Sequence, residues 1–344
     1  MGKLLHHHSP LRIFGFSACA SVAVLLAMFL MRGVDAMVVT LILIAVEIAF
    51  SFDNAIINAK ILGQLSRFWQ NFFLTAGMVI AVLGMRVVFP IVIVMITAGL
   101  SWGAVWDLAL HHPHTYASEL EHAHPSIAAF GGAFLLMLAL HFFLDDEREI
   151  LWIDRIERRL QSIATIWLPS ALSLVVVAVM AALPANHHHR ETLVAGVTGV
   201  VTYLVIHALS VSLGKTQQGH KGAVQRTGMA AVWTFVYLEV LDASFSFDGV
   251  IGAFAVTSKV LLIAAGLGVG ALWVRSLTIF MVRRGTLSNY IYLEHGAHYT
   301  VAVLAGLMLL SIILEVPDVI AGLAGIGLIG ASIVASKQAI DHQV

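Results

Sequence analysis

Ten runs of apolar residues recur along the chain, near 11–31, 36–62, 72–100, 126–144, 163–183, 191–213, 229–256, 260–282, 298–314 and 316–336. A helix needs about 17–25 such residues to cross the hydrocarbon layer, and this recurrence points to a chain that threads a bilayer many times. Backbone groups in lipid must be hydrogen-bonded internally, which leaves helices or a closed barrel. The runs are near-continuous and lack the alternation of barrel strands, which are about ten residues long. The expectation is an all-α, polytopic helical bundle of about ten spans, a single transmembrane domain over residues 1–344. Hydrophobic residues make up 59% of the chain and charged ones 11%, which excludes a soluble domain. A net charge of -1, with no basic patch, argues against a nucleic-acid partner. The single cysteine, Cys19, leaves no internal disulfide and no thiolate cluster.

Lysine and arginine set the orientation. With ten spans, Lys60 and Arg67, then Arg148, Arg155, Arg158 and Arg159, then Lys215, Lys221 and Arg226, then Arg283 and Arg284, and finally Lys337 all fall on one side with Lys3 and Arg12. The other side holds Arg32, Arg190 and Lys259. Both termini are therefore expected in the cytoplasm, with the protein in a bacterial inner membrane. The first run reads as an uncleaved helix, because Arg32 and Asp35 stand where small residues would precede a cleavage site. The segment 102–125 has no lysine or arginine and carries His111, His112, His114, His122 and His124. It reads as a non-cytoplasmic, His-rich loop, either a plain polar connection or one whose imidazoles collect transition metals.

Within this greasy frame the string Phe-Ser-Phe-Asp occurs twice, as Phe50–Asp53 and Phe245–Asp248, each with an acid six residues upstream, Glu47 and Asp242. A carboxylate at membrane depth costs roughly 2.5–3.5 kcal/mol on insertion scales, so a doubled pair is expected to act together. Each copy is followed in the next run by Gly-x8-Arg, Gly77 to Arg86 and Gly266 to Arg275. On the span count, the second run points inward and the seventh outward. Two similar halves of opposite orientation, 36–183 and 191–336, mark an inverted-topology repeat with its site near the midplane.

At 3.6 residues per turn, Glu47, Ser51, Asn54 and Asn58 share a stripe, with Asp53 about a quarter-turn aside. Asp242 and Ser246 repeat the stripe in the second copy, with Glu239 one turn earlier. Together they offer carboxylate, amide and hydroxyl oxygens and no sulfur, a set suited to a hard divalent cation. The candidate metal residues are Glu47, Asp53, Asn54, Asp242 and Asp248, followed by Glu239, Asn58, Ser51 and Ser246. The plainer alternative is that arginines pair with the acids and hold the bundle together. Two arginines cannot neutralise the five acids Glu47, Asp53, Glu239, Asp242 and Asp248, and the surplus calls for a cation or protons. His295 and His298, after Glu294, add a weaker candidate ligand pair at the start of a helix.

At these residues the chain resembles the TerC superfamily, in its longer membrane branch. The matching strings are Glu47-Ile-Ala-Phe-Ser-Phe-Asp53-Asn54-Ala55, the second Phe-Ser-Phe-Asp248-Gly249, and Tyr292-Leu-Glu-His-Gly-Ala-His298-Tyr, within residues 35–315. The resemblance implies inverted repeats, a role in metal homeostasis, notably manganese export, and an association with tellurium resistance. It also implies that Glu47, Asp53 and Asn54 form one half-site and Asp242 and Asp248 the other. Gly249 stands where the family has asparagine, so the resemblance does not make the two half-sites equivalent.

The expected function is a secondary transporter exporting a divalent cation, Mn2+ by the resemblance, in exchange for protons. No permanently bound cofactor and no enzymatic activity are expected. The partners are the lipid bilayer and the transported ion, and the sequence does not set the oligomeric state. Two rivals follow from the same residues. One is a membrane adaptor supporting export or metal loading of other proteins without carrying ions. The other is an intramembrane aspartic hydrolase, disfavoured by the absence of a glycine-rich setting around the aspartates.

Overall fold

The computed structural model describes residues 10–215, 228–257, 259–285 and 289–341. Its helices in chain order are α1 (Pro10–Phe50), α2 (Phe52–Gly63), α3 (Arg67–Ala98), α4 (Trp102–His111), α5 (Pro113–Phe143), α6 (Asp154–Ser162), α7 (Leu168–Ala182), α8 (His189–Lys215), α9 (Gly228–Val256), α10 (Val260–Arg284), α11 (Leu293–Leu310) and α12 (Asp318–Asp341). No β-strand occurs among the described residues. Eight of these helices are long and apolar enough to cross a membrane. The chain is an integral membrane protein built as an all-α bundle.

Helix α1 is 41 residues long, about 60 Å at 1.5 Å per residue and twice the hydrocarbon thickness. It is interrupted at Gly33, whose φ of 84° and ψ of -172° no helix tolerates. The contacts on either side show that the interruption is a hairpin. Before it, Ser17 meets Leu272 and Ser276 of α10, and Met28 packs beside Leu262. After it, Ala36 packs beside Leu262, Leu43 against Gly266, and Glu47 against Gly270. A straight rod would hold Ser17 and Leu43 about 39 Å apart, whereas Ser276 and Gly266 are separated by only about 15 Å of helix. Both arms therefore flank α10, the first antiparallel to it and the second parallel. Dividing α1 at Gly33 and adding the shorter apolar α7 brings the apolar helical arms to ten.

The chain forms two compact units, Met1–Ala123 with Leu238–Thr286, and His124–Tyr237 with Leu287–Val344. Each unit takes part of both expected repeat halves, and the first contains both Phe-Ser-Phe-Asp strings. In that unit α9 packs on α10 through Val250 and Ala253 against Ile263 and Leu267 at one end, and through Glu239 and Asp242 against Arg275 at the other. Helix α9 is thus antiparallel to α10, while the second arm of α1 is parallel to it. The two motif-bearing helices run in opposite directions, as an inverted repeat requires.

In the second unit α11 and α12 pair antiparallel, with Gly296 against Ser332 and Gly325 against Thr300. Helix α5 lies antiparallel to α11 through Ala128 and Ala129 near Ile312 and Gly132 against Leu309.

The segment 102–125, expected as a loop, is helical. It comprises α4, whose Ser101 side chain accepts from the Ala104 N–H, and the opening turns of α5. Its Trp, Ala and Leu content carries helix propensity through the histidines. His111 pairs with Asp107 at 2.7 Å on an exposed face.

Cysteines at Ser17 and Ser276, in a Cys19→Ser background, are expected to oxidise to a disulfide, and so are cysteines at Leu43 and Ile263, which share one apolar cluster. Gel-shift detection of both crosslinks, each in its own variant, supports the hairpin. A crosslink at only one pair would mean that the arms of α1 do not share α10.

Candidate functional site

The acids predicted from the sequence gather in the first unit around two arginines. Arg86 lies on α3 in a stretch, Ile80–Val88, wound as a π-helix. Such wide turns re-aim side chains and recur at functional sites. Its guanidinium bonds Glu47 through Nη2 and the Ala81 carbonyl through Nη1 at 3.1 Å. Arg275, on α10, holds Glu239 with both terminal nitrogens at 3.1–3.2 Å and reaches Asp242 at 3.3 Å. Asp242 also lies 3.9 Å from Arg86 and accepts from Asn54 Nδ2 at 2.8 Å. A continuous chain of charge results, from Glu47 through Arg86, Asp242 and Arg275 to Glu239. Every member is buried. Ser51 donates to Glu47 at 3.2 Å, and the ring of Phe73 lies 4.1 Å from the Arg275 guanidinium carbon.

Missing side chains make room for this chain. A Cβ at Gly77 would stand 2.5 Å from Arg275 Nη1, and one at Gly270 would stand 2.5 Å from Glu47 Cβ. A glycine in the first repeat thus admits the second repeat's arginine, and a glycine in the second admits the first repeat's glutamate. Gly77 was visible as the start of Gly-x8-Arg, but nothing in the sequence assigned it a role across the repeats.

The same helices carry further buried polar groups. The helix breaks at Ser51 (φ -99°, ψ 15°) between α1 and α2, which places Asp53 in the first turn of α2. Asp53 is buried, accepts from its own and the Asn54 backbone N–H, and faces no basic side chain among the described residues. Asn54 Oδ1, Asn58 Oδ1 and Ser246 Oγ are buried and have no hydrogen-bond partner among the described residues. Asn54 and Asn58, four residues apart, share one face of α2. An unsatisfied buried polar atom costs about 1–3 kcal/mol, so each of these oxygens is an acceptor that water or a cation could engage. The donor set is all oxygen and fits a hard cation.

Several predicted residues lie elsewhere. The Asp248 side chain lies outside the described residues, although its backbone continues α9. His295 and His298 belong to the second unit and do not join the acids. His295 Nε2 lies 2.9 Å from the Ile150 carbonyl, and His298 Nδ1 lies 2.8 Å from that of Glu294, so both nitrogens act as donors. His298 also stacks on Phe142 at 3.7 Å. Among the described residues no group of three or more His, Cys, Asp or Glu side chains is arranged to hold a metal ion.

The histidines surround a residue that sequence reasoning missed, Glu157 of α6. Glu157 is fully buried, pairs with Arg148 at 3.1 Å and His295 at 3.4 Å, and accepts from Tyr299 and the N–H groups of Trp152 and Ile153. Burial alone would raise its pKa. The hydrogen bond from His295, the Ile153 N–H and the charges of His295 and Arg148 outweigh burial and hold it below the ordinary glutamate range. In a sequence rich in arginine around it, Glu157 reads as one more surface charge.

Comparison with known proteins adds a family. Residues 52–342 match the family described as "Protein of unknown function (DUF475)". The chain belongs to the DUF475 family. No curated protein and no solved structure matches it. The match begins within α2 and takes in Asp53, Arg86, Glu239, Asp242 and Arg275, so most of the charge chain lies inside the DUF475 region.

Two outcomes follow for this DUF475 protein. Arg86→Leu is expected to destabilise it by about 3–5 kcal/mol, because it strands a buried carboxylate. Glu47→Leu combined with Arg86→Leu should recover much of that loss, as read by unfolding in detergent. Additive losses in the double variant would mean that the two groups do not act as a pair. For Glu157, a lowered folded pKa means that its contribution is complete above about pH 4.3, the unfolded value. The contribution is lost as pH falls through the folded value. Hydrogen exchange in α6 should accelerate over that acid range and lose this dependence in Glu157→Gln.

Proposed function

We propose that the protein is a secondary transporter of a hard divalent cation. The observation that carries this reading is a charge count inside one buried cluster. Glu47 with Arg86, and Glu239 with Arg275, make two neutral pairs. Asp242 is left over, and Asp53 has no basic partner among the described residues. Two negative charges thus remain among the described residues, before Asp248 is counted, linked through Asn54, which neighbours one in sequence and bonds the other. They match one doubly charged ion or two protons. The ion would be held by Asp53, Asp242 and the carbonyl oxygens of Asn54 and Asn58, with Asp248 and Ser246 as further ligands, while Glu47, also a candidate from the sequence, stays on Arg86.

In this reading Arg86 and Arg275 keep the glutamates neutral while the ion comes and goes. Protons replace the departing metal, because an unpaired desolvated carboxylate favours its neutral form. Opposed repeats supply alternating access by rocking. Mn2+ is favoured by the resemblance to TerC-like proteins. Arginine and lysine placement favours cytoplasmic termini in an inner membrane, and the resemblance to TerC-like proteins favours export out of the cell. No enzymatic step is needed.

A second reading has one observation in its favour. Glu47, Glu239 and Asp242 all contact arginine, as they would in a purely structural network within a membrane adaptor.

Purified protein in proteoliposomes should take up Mn2+ against a proton gradient. Asp53→Asn and Asp242→Asn are each expected to lower flux at least about tenfold while leaving the folded fraction largely intact. Absence of flux in the wild type, together with a stable co-purifying membrane partner, would favour the adaptor. Undiminished flux in both variants would remove the cluster from transport.

A further inference from the structure

We propose that the outer face of α6 is a binding surface for the phosphodiester headgroup of an anionic phospholipid. This rests on the membrane reading of the fold and is independent of transport. The helix is inside out for a surface element in water, since its buried face carries Glu157 while Ile156 points outward. Ile163, Ile166 and Trp167 continue the apolar rim, with Ile166 95% exposed. A segment that shows isoleucine and tryptophan outward suits the boundary between headgroups and acyl chains. Connectivity agrees, because α7 begins at Leu168, immediately after this rim.

Beside the isoleucines runs an open basic strip formed by Asp154, Arg155, Arg158, Arg159 and Ser162 of α6. Asp154 neutralises Arg158 across one turn. Arg155 and Arg159, also one turn apart and exposed, remain to receive an anion. Guanidinium groups present paired N–H donors that fit phosphate oxygens, and a lipid brings an acyl tail to lie along Ile156 and Ile163. The Glu157 cluster fixes the helix backbone from within, which holds the basic strip in place. A soluble phosphate would satisfy the arginines but would leave the isoleucine and tryptophan rim in water, and the bilayer lipid is therefore the occupant.

The test uses the full chain in bilayers of phosphatidylglycerol and phosphatidylcholine, extracted in mild detergent, with bound lipids counted by native mass spectrometry. Replacing Arg155, Arg158 and Arg159 together by glutamine should weaken phosphatidylglycerol retention about tenfold or more, at roughly fivefold per arginine near the surface. Phosphatidylcholine retention should not change, and the matching lysine replacements should keep most of the effect. Equal phosphatidylglycerol retention in the wild type and the glutamine variant overturns the proposal. So does displacement of the lipid by millimolar inorganic phosphate. A nitroxide on Ile166→Cys, in a Cys19→Ser background with all three arginines intact, gives a second readout that does not depend on those variants. Greater accessibility to oxygen than to a water-soluble nickel complex supports the surface, and the reverse order refutes it.

Discussion

Glu47, Glu239 and Asp242 can lie buried between apolar helices because Arg86 and Arg275 are buried with them. An isolated carboxylate in such surroundings would carry a desolvation penalty of several kcal/mol, and so would an isolated guanidinium. Closing the charges into one chain offsets most of that cost, and Asn54 and Ser51 add donors to the carboxylates. The same arithmetic makes the two ion pairs rigid in composition, since deleting either arginine or either paired glutamate strands its partner. It also fixes which helices must meet. The acids come from the second arm of α1 and from α9, the arginines from α3 and α10, and no pair of these helices suffices alone.

Helix α10 is where that requirement meets the topology. Both arms of α1 lie along it, α9 folds back on it, and α3 approaches it at Gly77 and at Gly268, whose Cβ would stand 3.1 Å from Val82. The close approach depends on small residues, the usual means of bringing helices together in lipid. Because the second arm of α1 and α9 run oppositely against α10, acids from similar sequence strings face each other instead of stacking side by side. Direction, rather than sequence identity, lets one arginine from each repeat serve the shared Asp242.

Much of this was legible before any coordinates. Apolar run length marked all ten helical arms, because lipid imposes both length and hydrophobicity on a span. The doubled acid strings and the two Gly-x8-Arg patterns marked the residues that gather. Three features were hidden for physical reasons. Residues 102–125 lack hydrophobic continuity, so their helicity, set by local propensity and the Ser101 cap, gave no span signal. The wide turn around Arg86 has no composition of its own, since Ile, Ala, Val and Leu suit an ordinary helix equally well. Glu157 carries no sequence signal of burial among its arginine neighbours, and only the histidine and tyrosine brought from α11 reveal it as a buried acceptor. His295 and His298 failed as companions of the acids for the same reason: tertiary partners, which spacing does not encode, had already engaged them.

Asp242 is the member of the chain whose contacts suit it to exchange. Its approach to Arg86 is long at 3.9 Å, and its approach to Arg275 duplicates a pairing that Glu239 already makes with both terminal nitrogens. If Asp242 turned its oxygens to a cation, each arginine would keep one glutamate, and neither neutral pair would open. Glu47 and Glu239 have no such freedom, because releasing either leaves an arginine short of its principal partner. In the proposed cycle the arginines therefore remain in place while Asp242 and Asp53 alternate between metal and protons. Either occupant leaves the cluster with the same net charge, and a constant charge is what allows such a site to move between the two sides of a membrane without a large electrostatic barrier.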